Sequence, residues 1–198
     1  MRTRTTIAAA AALAILSSTA NAQGGFGPPE LTTVKVRDNI YMIRSGMSGN
    51  VTVILSEDDG VLLIDDKFAQ DHDGIMAQLR AITDQPIRYV INTHLHQDHT
   101  GGNAAMQALS ADVIASENAR RIMAEAQSAG LPNITIDDYL RIYHGDLPID
   151  LHYFGRTHTN GDAFFLFPAH RVLHVGDVFP GNELPIMDSN NGGTGIGY

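Results

Sequence analysis

Short apolar runs separated by turn-forming residues dominate this chain and predict a sheet-rich fold. The runs are rich in β-branched and aromatic residues, a composition typical of strands. The segment 134–140 is interpreted instead as a loop or short turn. The predicted strands cover 33–37, 40–44, 51–55, 61–64, 87–91, 112–115, 151–154, 163–167 and 172–175.

Other segments repeat apolar residues at helical spacing. Ile75, Leu79 and Ile82 would share one face of an amphipathic helix. Ser116 is placed to cap another helix, because its hydroxyl can accept a hydrogen bond from the first turn. The predicted helices cover 71–83, 103–109 and 117–129, and together with the strands they indicate an α/β domain.

The stretch after the predicted strand 87–91 carries the densest chemistry in the chain. The six consecutive residues 94–99, between that strand and a helical segment, include His94, His96, Asp98 and His99. Neutral imidazoles and a carboxylate suit a zinc-like ion. Open α/β sheets place their sites at the carboxyl ends of strands, so the pattern predicts a metal site there.

This cluster resembles the His-x-His-x-Asp-His signature of the metallo-β-lactamase-fold metallohydrolases. Downstream, Gly-Arg-Thr-His-Thr-Asn-Gly-Asp at 155–162 resembles the second metal motif of that family, and Val-Gly-Asp at 175–177 resembles the third. The resemblance runs from about residue 34 to 177. It implies an αββα sandwich, represented here mainly by the N-terminal β-sheet with its flanking helices.

The resemblance also implies a set of metal ligands around two ions. Two zinc ions are expected in the full fold, with one ion as an alternative here, and such ligands also accept iron or manganese. One ion would be held by His94, His96 and His158, the other by Asp98 and His99, with Asp177 bridging the two.

Three further residues are candidates for supporting roles. Asp98 is a catalytic candidate, because it could orient the attacking water or carry its proton. Asp65 stands where family members have a carboxylate that hydrogen-bonds a ligand histidine; a turn or helix-cap aspartate is the alternative. Met47 is a candidate for substrate contact, with an exposed turn methionine as the alternative.

The predicted function is that of a zinc-dependent hydrolase. Water between two such ions has a strongly depressed pKa and supplies hydroxide near neutral pH. The expected substrate is an ester, lactone, thioester or amide-type compound, because Asp177 resembles the thioesterase, lactonase, sulfatase and nuclease branches of the family. The alternatives are class B-like β-lactam hydrolysis and a non-catalytic metal-binding protein or inactive fragment.

The amino-acid composition argues against some kinds of binding partner and metal ligand. The formal net charge of -9 argues against nucleic acid or an anionic membrane surface as the main partner. The expected partner is a small-molecule substrate. The chain has no cysteine, which removes disulfides and thiolate ligands.

The first residues have the pattern of a bacterial signal peptide. Arg2 and Arg4 precede an apolar run at 7–16, and small residues end at Ala22, after which cleavage is predicted. The predicted organisation is a signal peptide at 1–22, a flexible leader at 23–32 and one metallo-β-lactamase-like domain at 33–198. The expected location is the periplasm or the exterior, with no membrane attachment after cleavage.

The resemblance departs from the family at the C-terminal end. None of residues 178–198 is histidine, although the family places a last histidine ligand well beyond the bridging aspartate. We therefore expect a weakened second metal and an apolar sheet surface that invites self-association. A fragment of a longer hydrolase is one hypothesis, and a partner chain or dimer that supplies the missing layer is the other.

Overall fold

Two facing β-sheets form the body of the molecule. We describe a computed structural model, which covers residues 30–45, 48–181 and 183–198; the predicted signal peptide, most of the leader and Met47 lie outside this range. The first sheet runs in the order β1 (Thr32–Arg37), β2 (Ile40–Arg44), β3 (Val51–Ser56), β4 (Gly60–Ile64), β5 (Ile87–Ile91), β6 (Asp112–Ser116) and β7 (Ile134–Ile136). The second contains β8 (Tyr139–His144), β9 (Leu147–Tyr153), β10 (Ala163–Phe167) and β11 (Val172–His174).

The first sheet changes from antiparallel to parallel pairing at β4. Strands β1 to β4 form an antiparallel meander, whereas β4 to β7 pair in parallel. Ile64, Ile91 and Ile114 stand side by side in this parallel part. The carboxyl ends of β4, β5 and β6 therefore open onto one edge, and the metal-ligand loop leaves from that edge.

Helices cover one face of the first sheet, and the second sheet covers the other. The helices are α1 (His72–Arg80), α2 (Gln97–Thr100), α3 (Asn103–Ala108) and α4 (Glu117–Glu125). Ile75 and Met106 pack from α1 and α3 into one apolar cluster. Leu62, Ile91 and Phe165 belong to the other cluster, between the sheets. All five residues of β4 are buried, as expected for a strand covered on both faces.

The α/β fold with two facing sheets is confirmed, and the boundaries need four main corrections. Strand β9 begins at Leu147, four residues before the predicted 151. The segment 134–140 is not a loop, because it contains β7 and the beginning of β8. Helix α4 ends four residues before the predicted 129, since Gln127 adopts a left-handed φ of 54° that a helix cannot continue. Helix α1 covers only His72–Arg80 of the predicted 71–83. Ser116 does cap α4, accepting from the Ala119 backbone N–H at 3.1 Å.

The outer face of the second sheet carries exposed apolar side chains. Tyr143, Phe154 and Leu173 are 66%, 70% and 60% exposed. The two inner faces pack on each other, so the exposed apolar surface lies on the outside of the sandwich. Self-association through this face stays a prediction. Among the described residues, no helix is long and apolar enough to cross a bilayer.

Candidate metal centre

The loop that follows β5 is held in shape by buried polar contacts. The Asn92 side chain donates hydrogen bonds to the His99 carbonyl and to the Asn103 amide oxygen, each at 3.1 Å. These bonds fold residues 93–99 back against the end of β5. His94 and His99 are almost completely buried as a result, while His96 is partly exposed.

Three imidazole rings from two distant segments converge at this edge. His96 Nδ1 lies 3.1 Å from His94 Nε2 and 3.0 Å from His158 Nε2. His158 sits in the loop between β9 and β10, which is fastened by Asp162. That carboxylate accepts hydrogen bonds from the Thr157 hydroxyl and from the Thr159 N–H and hydroxyl. We call His94, His96 and His158 the trihistidine group.

The outer nitrogen of each ring in the trihistidine group has a hydrogen-bond acceptor. His158 Nδ1 donates to the Ile186 carbonyl at 2.6 Å, and His96 Nε2 donates to Asp188 Oδ2 at 2.8 Å. The Thr93 hydroxyl donates to Asp65 at 2.8 Å, so its oxygen accepts from His94 Nδ1 at 2.9 Å. In the tautomers that place each proton on the outer nitrogen, the inner nitrogens direct three lone pairs at one spot. Such an arrangement is unfavourable without a cation between them, and its geometry fits a metal ion.

A second group lies beside the first and contains His94, His99 and Asp177. The candidate ligand atoms of these three residues lie within 4.8 Å of one another. His99 Nε2 is 3.2 Å from Asp177 Oδ1 but forms no hydrogen bond, and it is buried. A buried nitrogen without a partner is costly, and a metal ion at this position would satisfy it. We call this the mixed group.

Asp98 lies at the margin of the mixed group. Its Oδ2 is 3.6 Å from His99 Nε2 and accepts a hydrogen bond from the Gly49 N–H at 3.3 Å. It does not belong to the tight cluster of ligand atoms. Asp98 instead lines the adjoining cavity.

Asp65 fastens His99 to the scaffold. It lies directly after β4 with a left-handed φ of 63°, and its carboxylate is fully buried. The carboxylate accepts from His99 Nδ1 at 2.7 Å and from the Thr93 N–H at 2.7 Å. The structure thus places Asp65 against a candidate ligand histidine, and α1 begins after a different aspartate, Asp71.

Burial and the neighbouring charged groups shift the pKa values of His99 and His94 in opposite directions. Burial opposes protonation of this ring, but the negative charges of Asp65 and Asp177 outweigh it and raise the pKa of His99 to about 10. Burial, together with the neighbouring His99, lowers the pKa of His94 well below its usual value. The mixed group therefore favours positive charge, and His94 stays neutral as a ligand must.

The structure reveals two contributors to the site that the sequence prediction missed. Asp188 folds back from the C-terminal segment and binds His96, as described above. Burial opposes its ionisation, but hydrogen bonds from Asn191 and His96 lower the pKa of Asp188 to about 2. The Asp-Ser-Asn-Asn pattern at 188–191 predicts an aspartate that accepts from nearby backbone N–H groups, but it does not predict the contact with His96.

Lys67 is the second missed residue. It is fully buried, and its ammonium group donates hydrogen bonds to the Ser48 hydroxyl and the Gly49 carbonyl. Gly49 in turn packs so closely on His99 that a Cβ there would overlap the ring. Lys67 therefore fixes a short segment above the mixed group.

The fold and this set of side chains define a metallohydrolase-type centre at the edge of a two-sheet sandwich. The family described as the metallo-beta-lactamase superfamily matches residues 44–197, and the chain belongs to that superfamily.

Similar proteins have diverse names. The alpha subunit of 2,4-dinitroanisole O-demethylase from Nocardioides sp. (strain JS1661) is 29% identical over 168 residues, which are 80% of this chain and 50% of that protein. This chain thus spans about half the length of that relative. The alkyl/aryl-sulfatase BDS1 of Saccharomyces cerevisiae is 33% identical over 70 residues, 34% of this chain and 11% of the sulfatase.

Solved structures show the same fold. A metallo-beta-lactamase from Pontibacter korlensis aligns with a TM-score of 0.67 at 21% identity, over 72% of this chain and 69% of the other. At this identity the likeness concerns the fold alone.

Proposed function

We propose that this protein is a zinc-dependent hydrolase that acts on an ester, lactone, thioester or amide-type substrate. The observation that carries the proposal is the convergence of three imidazole nitrogens, from segments 94–96 and 158, beside the mixed group. Three nitrogen ligands with an open fourth position are typical of catalytic zinc sites, whereas structural sites are closed. Iron and manganese are the alternative metals, because histidine and carboxylate ligands accept both.

The proposed residue roles follow from the positions of the side chains. His94, His96 and His158 would hold the first metal, and His99 and Asp177, with Asp98 beside them, would hold the second. When bound, the metals supply a Lewis acid that lowers the pKa of water and polarises the substrate carbonyl.

Asp98 is the proposed proton carrier. Its side chain is 26% exposed and lines a cavity of about 630 Å³, so a substrate in the cavity can approach it. The Gly49 N–H holds one oxygen of the carboxylate, which fixes its direction. Asp98 can therefore accept the proton of the attacking water and pass it to the leaving group.

The proposed function is tested by metal content and turnover on one preparation. The purified protein is loaded with zinc, dialysed and assayed with an aryl ester, a lactone and a chromogenic cephalosporin. Bound zinc with turnover of the ester or lactone supports the proposal, and turnover of the cephalosporin alone supports the β-lactamase alternative. One zinc without any turnover would indicate an accessory metal-binding protein. His170→Ala is the control, because His170 belongs to neither candidate metal group and lies in the turn before β11.

The proposed location is the periplasm or the exterior of a bacterial cell. Its support is the signal-peptide pattern of residues 1–22, which the structure does not describe. Cell fractionation of a C-terminally tagged protein checks it. A mature N-terminus at Gln23 in the periplasmic fraction is expected, and an unprocessed protein in the cytoplasm would contradict it.

A further inference from the structure

The cavity beside the mixed group has one apolar side. Phe179 and Ile186 line it and are 69% and 68% exposed. Large apolar side chains that border a cavity and face water can be covered by an apolar part of a ligand. The cavity is therefore suited to a substrate with an alkyl or aromatic group.

Apart from His99, which is a candidate metal ligand, the charged side chains that line the same cavity are negative. They are Asp98, Asp177 and Glu183, and the described lining residues include no lysine or arginine. Lys67 is near, but its ammonium group is buried and bonded to Ser48 and Gly49.

The carboxylates next to the candidate metals and the carboxylate of Glu183 would have different effects on a substrate. Asp98 and Asp177 stand next to the candidate metals, whose positive charge would offset theirs. Glu183 belongs to neither candidate metal group, is exposed and lines the cavity, so no candidate metal would directly neutralise its charge. Proteins bind sulfate, phosphate and carboxylate groups with arginine or lysine, and the described wall offers neither.

We propose, on the basis of the hydrolase function above, that this cavity selects uncharged substrates with an alkyl or aromatic group. It discriminates against substrates that carry an anionic group away from the reacting bond. Glu183 is the residue that sets this preference, through repulsion across the cavity.

The test compares two esters that differ by one carboxylate. They are 4-nitrophenyl butyrate and 3-carboxy-4-nitrophenyl butyrate, assayed with the zinc-loaded protein. We expect kcat/KM to favour the neutral ester by about tenfold, and Glu183→Lys to reduce this ratio several-fold by reversing the charge. Glu57→Lys is the matched control, because it changes the net charge equally at an exposed turn that does not line the cavity.

A binding measurement decides the question even without turnover. N-phenyl-1-naphthylamine and 8-anilinonaphthalene-1-sulfonate differ by a sulfonate, and their fluorescence reports binding. The expected result is that Glu183→Lys strengthens binding of the anionic dye several-fold relative to the neutral one, whereas Glu57→Lys does not. If no ester is hydrolysed but this shift occurs, the hydrolase proposal fails and the charge preference stands. Hydrolysis of both esters at equal kcat/KM, with a ratio that Glu183→Lys leaves unchanged, would overturn the preference and leave the hydrolase proposal intact.

Discussion

The trihistidine and mixed groups lie side by side, yet the protein supports them differently. In the trihistidine group the outer nitrogen of every ring meets an acceptor, supplied by Thr93, Asp188 and the Ile186 carbonyl. In the mixed group Asp65 holds His99, but the Asp177 side chain is 40% exposed and belongs to a short helical turn, Gly176–Val178, after β11. Asp98 is turned toward the Gly49 N–H.

This difference teaches that preorganisation within one centre can be unequal. A ligand whose orientation is already fixed loses less entropy when the metal binds, and its hydrogen-bond acceptor raises its basicity. We therefore expect stepwise binding, with the first ion at the trihistidine group and a weaker second ion at the mixed group.

Removal of His158 should have the largest effect on this order. His158→Ala deletes one of three nitrogen ligands and leaves His94 and His96 without the ring that closes the group. Metal affinity at the tight site should fall by more than the roughly 100-fold that the loss of an outer hydrogen-bond partner can cause. Competition with a chromogenic chelator measures it, and circular dichroism of the metal-free variant checks the fold. A variant that still binds one ion as tightly as the wild type would refute the assignment of the tight site.

Removal of Asp188 should have the next largest effect and should act on the tight site alone. Asp188→Ala takes away the acceptor of His96 Nε2, so the ring can rotate or change tautomer. A loss of roughly 10- to 100-fold in affinity for the first ion is expected, with the second ion little changed. Asp188→Asn is the matched control, since its amide oxygen can still accept and should preserve most of the affinity. If Asp188→Ala lowered the affinity for the second ion alone, the proposed difference between the two groups would be wrong.

The parts of the site that sequence could predict are those that are local in the chain or carried by motifs. His94, His96, Asp98 and His99 lie in one loop, so their proximity needed no knowledge of the fold. His158 came from a motif, and the structure brings its Nε2 to 3.0 Å from His96. Asp188 bonds His96 across 92 positions, and no local pattern announces such a contact.

Strands β7 and β8, which the sequence prediction missed, also differ in how much of their signal is local. Strand β7 has only three residues, Ile134–Ile136, and gains its order by pairing in parallel with β6. Strand β8 does alternate, with Leu140 and Ile142 packed toward the core and Arg141 exposed between them. Its period of two was a usable signal, whereas β7 depends on a neighbour that is distant in sequence.

A change at Lys67 should weaken metal binding at the mixed group and leave the trihistidine group unchanged. Lys67→Met removes the ammonium group that holds Ser48 and Gly49, while the unbranched methionine side chain still fills most of the buried space. Asp98 would then lose its fixed Gly49 N–H, and the segment over His99 would loosen. We expect about tenfold weaker binding of the second ion and an unchanged first ion, measured in the same chelator titration. Equal losses at both groups would instead indicate general destabilisation, which a thermal melt of the metal-free protein would reveal.

The smallest expected effect is on the stability of the fold beneath the mixed group. It depends on pH through the carboxyl group of Asp66. Asp66 donates its backbone N–H to the His99 carbonyl, and one carboxylate oxygen accepts from the Gly102 N–H at 2.9 Å while the other is buried without a partner. Burial is the main cause that raises the pKa of Asp66 well above its usual value, and the neighbouring Asp65 adds to it. The folded state therefore retains a proton that the unfolded chain has lost. The stability associated with this proton is complete below the unfolded pKa and is lost as pH rises through the folded pKa.

Asp66→Asn cannot ionise and keeps an oxygen for the Gly102 N–H, so it should melt at a higher temperature than the wild type at alkaline pH. The difference should shrink as pH falls toward the ordinary range of a carboxyl group. Melting curves of the metal-free proteins, recorded in chelator from pH 4 to 9, measure it. A difference that stays constant across this range would mean that Asp66 does not change its protonation on unfolding. The support of the mixed group would then be no more sensitive to pH than that of the trihistidine group.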